Sequence, residues 1–135
     1  MTPRNHFLAL AVFASLGGAV HAAEPAAQSN SPETDATLYG ESLMMPRQAA
    51  VCAERIADYA PRFQHSYDAW RAENAARIAA GSKFVHDSAA KGGVDADAGM
   101  AKLGDAEVAR LSKTSLELLA KHCQLILESM APPAL

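Results

Sequence analysis

The chain reads as an all-α protein, a small bundle of three unequal helices or a kinked helical hairpin, stapled by one disulfide. Three observations predict this. Apolar residues recur at steps of three and four through most of the body, no stretch alternates apolar and polar residues as a strand would, and the only two cysteines fall on apolar helical faces.

The clearest period lies in PRFQHSYDAWRAENAARIAAG, where Phe63, Tyr67, Trp70, Asn74, Ile78 and Gly81 share one side of a helix. Asp68 with Arg71, and Glu73 with Arg77, mark the wet side with ion-pair spacings worth only about 0.2 to 0.5 kcal/mol each. Burial of the aromatics, at about 1.5 to 3 kcal/mol for each large side chain, is the stronger term. Packing therefore decides this fold.

Upstream, MTPRNH precedes the uncharged apolar run Phe7–Val20, and Val20 and Ala22 place small residues where a signal peptidase would cut. Residues 1–22 are expected to be a secretory signal peptide, too short for a membrane span of about 20 residues. No cysteine follows the cut to carry a lipid anchor, so the expected destination is the periplasm or the exterior. Residues 23–37, rich in Pro, Ser and acids, predict a disordered leader, since they offer too little apolar surface to offset the entropy of ordering. The helical domain is then expected over 38–131, with 132–135 a tail. Loss of Arg4 makes the formal charge of −3 one unit more negative. A mildly acidic chain has no electrostatic reason to bind nucleic acid.

Within the domain, Pro46 is expected in the first turn of a helix, where its missing amide hydrogen costs nothing. The stripe Ala49, Cys52, Ile56, Tyr59 and Phe63 continues to Pro61, which either kinks one long helix or separates two. Its unbroken phase favours the kink. Gly92 and Gly93 predict a stop, and KGGVDADAGMAKLGD reads as a loop with at most one helical turn. Asp105 is a candidate cap for a last helix with Glu107 in its first turn. Its apolar face runs through Val108, Leu111, Ser115, Leu118, Leu119, His122, Leu125, Ile126 and Met130.

Export makes a Cys52–Cys123 disulfide the natural expectation, restraining the unfolded chain by roughly 4 kcal/mol. A straight helix from Cys52 to Ala90 would span roughly 57 Å, whereas Asp105 to Cys123 covers roughly 27 Å. A plain hairpin does not close that bridge, which favours three helices.

Signals for catalysis are weak. CxxCH, GxSxG and HxxxH are absent, and DADAG at 95–99 departs from a calcium loop at the turn glycine and the bidentate acid. Glu54 and Asp58, four apart, are better explained as charged surface. His65, His86, His122 and Met44, Met45, Met100 and Met130 include soft donors suited to copper, yet no pair has a strong ligand spacing. No metal, cofactor or catalytic residue is expected. Asn74 sits in the apolar stripe, where it either bonds a loop or helix terminus, such as the chain near Gly92, or joins Tyr67 and Trp70 in a partner-facing patch. The expected function is binding of another protein, as an inhibitor, immunity protein or accessory subunit. The alternative is a carrier of a small ligand or metal.

Overall fold

A computed structural model describes residues 31–132, which form five α-helices and no strand. The expected signal peptide, most of the leader and the last residues of the tail lie outside the described residues. The helices are α1 (Pro32–Arg55), α2 (Tyr59–Glu73), α3 (Ala75–Lys91), α4 (Ala96–Ser112) and α5 (Leu116–Ser129). All-helical architecture with a Cys52–Cys123 disulfide, Cα atoms 5.9 Å apart, is as expected. Three helices or a hairpin is not.

The first difference is at the start. Helix α1 begins at Pro32, inside the stretch expected to be a disordered leader. Ser31 accepts a hydrogen bond from Thr34 N, Pro32 occupies the first turn, and Glu33 and Asp35 sit where the helix dipole favours acids. Asp35 also holds Arg77 of α3 at 2.8 Å, tying this polar opening to the body.

Pro46 accordingly lies mid-helix rather than in a first turn. Having no amide hydrogen, it leaves the Ser42 carbonyl without its usual partner. The Tyr67 hydroxyl donates to that oxygen at 2.5 Å, so a side chain from α2 replaces the missing helical bond.

The expected kink at Pro61 is a full break three residues earlier. Asp58 adopts a left-handed conformation (φ 58°), Ile56 N closes on Cys52 O, and Pro61 falls in the first turn of α2. Aspartate tolerates this region better than most residues. The turn also removes Asp58 from the helix carrying Glu54, so those carboxylates do not share a helix face.

The long stripe through 61–81 is likewise divided, at Asn74, between α2 and α3. On α2, Tyr59, Phe63, Tyr67 and Trp70 stack in sequence with ring centroids 5.1 to 6.2 Å apart. Tyr59 donates to Cys123 O, which ties this stack to the disulfide. Helix α3 then crosses α1 so closely that Gly81 rests on the Asp35 backbone.

The expected loop at 91–105 is mostly helix α4. Gly93 (φ 67°) turns the chain, and Asp95 accepts from Ala98 N at 3.0 Å. DADAG is thus a helix start, and Asp105 lies within α4 instead of capping it. The expected last helix breaks at residues 113–115, where Ser115 caps α5 rather than joining its apolar face.

Helix α1 touches every other helix. Arg47, Gln48 and Arg55 reach, in that order, Asp105, Glu107 and the Thr114 carbonyl, so α4 runs parallel to α1. The disulfide places Cys123 beside Cys52, while Ser129 lies with Thr37 and Glu41, so α5 runs antiparallel. The core joins Met45, Ala49 and Cys52 of α1 to the α2 aromatics, Leu111 of α4, Leu119 and Ile126 of α5, and Met130 just past its end.

Gly81 and Gly104 give a paired test of these crossings. A Cβ at Gly81 would overlap the Asp35 carbonyl, a backbone group unable to yield. A Cβ at Gly104 would meet only the guanidinium end of Arg47. Gly81→Ala is expected to destabilise by about 3 kcal/mol, the upper range of overpacking. Gly104→Ala should be near neutral, since a gain of about 1 kcal/mol in helix propensity offsets a disturbed surface ion pair. Denaturant unfolding of both variants checks this.

Candidate functional site

The three residues expected to form a partner-facing patch occupy different settings. Tyr67 and Trp70 are each 7 % exposed and belong to the core. Tyr67 spends its hydroxyl on Ser42 O, as described above. Asn74 is half-buried and donates from both its backbone N (3.0 Å) and Nδ2 (2.8 Å) to the Trp70 carbonyl. Its amide therefore closes the end of its own helix, and does not reach the chain near Gly92. Together these residues build the junction of α2 and α3 rather than a surface.

The expected soft donors are scattered too. His65 is exposed on α2. His86 of α3 lies against the Ser82 carbonyl (Nδ1, 2.8 Å) and Asp97 of α4 (Nε2, 3.0 Å). Acceptors beside both ring nitrogens favour the protonated ring, in which both nitrogens donate, and raise its pKa. Met45 and Met130 are buried in the core. Among the described residues no group of three or more His, Cys, Asp or Glu side chains is placed to hold a metal ion.

What does converge is a groove. Helices α4 and α5 both lean on α1 and leave between them a cleft of about 520 Å³. Met44 and Met45 form its floor, Met100 its α4 wall, and His122, Leu125 and Ile126 its α5 wall. The volume is that of a small-molecule site, and flexible thioethers suit a surface that adapts to its occupant.

Polar groups stand at the two ends. Glu41 and Gln48 are two turns apart on α1, as His122 and Ser129 are on α5, a span of about 10 Å in each case. Antiparallel packing pairs Gln48 with His122 at one end and Glu41, beside Thr37, with Ser129 at the other. The Gln48 amide donates to Glu107 at 3.0 Å. Glu107 is held below the usual carboxylate range, first by its hydrogen bond to Arg110 and further by Gln48. His122 Nε2 is buried without a hydrogen-bond partner among the described residues. Burial pushes its pKa down, with Glu107 opposing, so the ring stays neutral near pH 7. Burial pushes the Glu41 carboxyl up.

Met44, Met100 and His122 were visible as candidate donors in the sequence, but Glu41, Gln48 and Ser129 were not. Part of the signal was the width of the α5 apolar face. Leu119, Cys123, Ile126 and Met130 suffice for the core, leaving Leu118, His122 and Leu125 as a second, surplus stripe.

Two outcomes follow from this geometry. Tyr67→Phe leaves Ser42 O buried and unpaired, at a cost of about 1 to 3 kcal/mol. In a Pro46→Ala background the restored amide hydrogen bonds that oxygen, and the same change should cost under about 1 kcal/mol; equal costs in both backgrounds, by chemical denaturation, would contradict the assignment. For pH, the two histidines act with opposite sign. The raised pKa of His86, due first to the Ser82 carbonyl and then to Asp97, gives stability that is present below the ordinary value of 6.5 and lost as pH rises through the folded value. The lowered pKa of His122 gives stability that is present above 6.5 and lost as pH falls through its folded value. Melting temperatures from about pH 5 to 8 should therefore flatten on the alkaline side in His86→Gln and on the acid side in His122→Gln.

Set against protein-family models, curated proteins and solved structures, the chain finds no match in any of the three.

Proposed function

We propose that this is an exported, non-catalytic carrier that holds a small, largely apolar molecule in the groove between α1, α4 and α5. The observation that carries the reading is the methionine-lined cleft with His122 in its wall, whose buried Nε2 has no partner among the described residues. A buried nitrogen without a partner costs about 1 to 3 kcal/mol, and a ligand that bonds it removes that cost. Apolar surface on Met44, Met100 and Leu125 supplies most of the affinity, and the polar ends orient the occupant.

Capture of a partner protein as an inhibitor, immunity protein or accessory subunit now has less support. Its expected anchors, Tyr67 and Trp70, lie in the core. Exposed Leu116 and Leu118 on α5, and Val94 and Leu103 at the α3–α4 side, are the apolar surface left for it.

The neutral dye N-phenyl-1-naphthylamine tests the carrier reading by fluorescence titration. Binding should saturate at one dye per chain. Leu125→Glu should weaken it about tenfold, matching the loss of ~1.5 kcal/mol of apolar contact. Leu116→Glu, exposed on α5 and outside the groove lining, should leave it unchanged. Absence of saturable binding, or equal sensitivity to both substitutions, would remove the groove as the site.

A further inference from the structure

Glu41 is the one charged side chain that lines the groove at neutral pH, His122 being held neutral by burial. It is half-buried, and its carboxyl makes no hydrogen bond or ion pair with any other described residue. Thr37 and Glu41 also line the adjoining cleft, where the only cation among the described residues is Arg77. That guanidinium is committed through Nε to Asp35 at 2.8 Å. Glu33 lines the same cleft, so the carboxylates Glu33, Asp35 and Glu41 outnumber the single arginine at this end.

A half-buried carboxylate without a counter-charge is penalised by lost hydration, and the ordinary remedies are a proton or a cation. No ion pair links Glu41 to Arg77, the cation among the described residues of that cleft, and burial pushes the Glu41 carboxyl up. An anionic ligand would meet the same carboxylates and add a second buried negative charge. A neutral ligand would leave the penalty in place. An ammonium or amidinium group is the chemistry that offsets it, through a charge-assisted hydrogen bond.

We infer that the groove selects organic cations with an apolar body, the cationic group bonded to Glu41 and the body lying along Met44 and Met100 toward His122. This rests on the groove being the binding site, and extends it by fixing the charge and orientation of the occupant. The roughly 10 Å between the polar ends favours a short chain or a compact ring system over a long lipid.

Octylamine, octanol and octanoate, equal in chain length and differing in the head group, distinguish the alternatives by displacing the bound neutral dye. At neutral pH octylamine should displace it at a concentration about five- to tenfold below octanol, the difference between a charge-assisted and a neutral hydrogen bond. Octanoate should be weakest. In Glu41→Gln, folding confirmed by thermal melt, octylamine and octanol should become equivalent. Glu33→Gln, which removes the same charge from the neighbouring cleft, should keep most of the preference. Lowering the pH should erode the preference in the unmodified protein as Glu41 takes up its proton. Equal displacement by amine and alcohol, survival of the preference in Glu41→Gln, or equal losses in both variants would overturn the assignment to Glu41. Each of these leaves the groove standing, whereas failure of the dye itself to bind removes the groove.

Discussion

A 24-residue helix with neighbours on every side has to meet each of them with a different chemistry, and α1 does so. Toward α2 it offers the Ser42 carbonyl freed by Pro46, which Tyr67 takes. Toward α3 it offers bare backbone at Asp35, which only Gly81 can approach. Arg47, Gln48 and Arg55 form a polar seam with α4, and Cys52 is joined covalently to α5. The groove is a consequence of this division. Helices α4 and α5 are each fastened to α1 but scarcely to one another, and the space between them is closed by methionines instead of by a helix–helix contact.

The disulfide matters most where burial is least. Helix α5 contributes a narrow set of core residues and exposes Leu116, Leu118 and Leu125. Its hold on α1 through packing alone is correspondingly limited. A bridge spanning 71 residues contributes about 4 kcal/mol by restraining the unfolded chain, a large part of the roughly 5 to 15 kcal/mol typical of a domain. The Tyr59 bond to Cys123 O and the Tyr59-to-Trp70 stack extend that fixed point along α2. One covalent contact thereby orders both walls of the core.

How far the sequence reveals this can be traced to particular residues. Helical period and cysteine placement made the architecture and the pairing legible, because both depend on local spacing and on a residue type with one dominant chemistry. The helix count was not, because three of its breaks carry unusual or ambiguous signals. The first turn uses a left-handed Asp58 where glycine would have announced it. Asn74 reads as part of an apolar stripe until its amide is seen closing α2. Ser115 fits the phase of a continuing helix and acts as a cap. Pro46 misleads for a different reason: the rule that places proline in a first turn assumes that no distant side chain will take the orphaned carbonyl, and Tyr67, 25 residues away in hydrogen-bonding separation, does so. The groove lay further out of reach, since its walls come from three helices, one of them expected to be a loop.

A groove whose wall holds, among the described residues, an imidazole nitrogen and a carboxyl without hydrogen-bond partners is poor design for stability alone. Replacing His122 and Glu41 by apolar residues would remove two desolvation penalties of a size that matters to a small domain. Local departures of this kind from a fully satisfied interior are characteristic of functional sites, and they persist only where other parts of the fold supply a surplus. Here the surplus is identifiable. The disulfide lies about three turns along α1 from Glu41, so it fastens α5 to the helix without filling that end of the cleft. The same covalent restraint that α5 needs for want of packing leaves its second apolar stripe, Leu118 and Leu125, exposed.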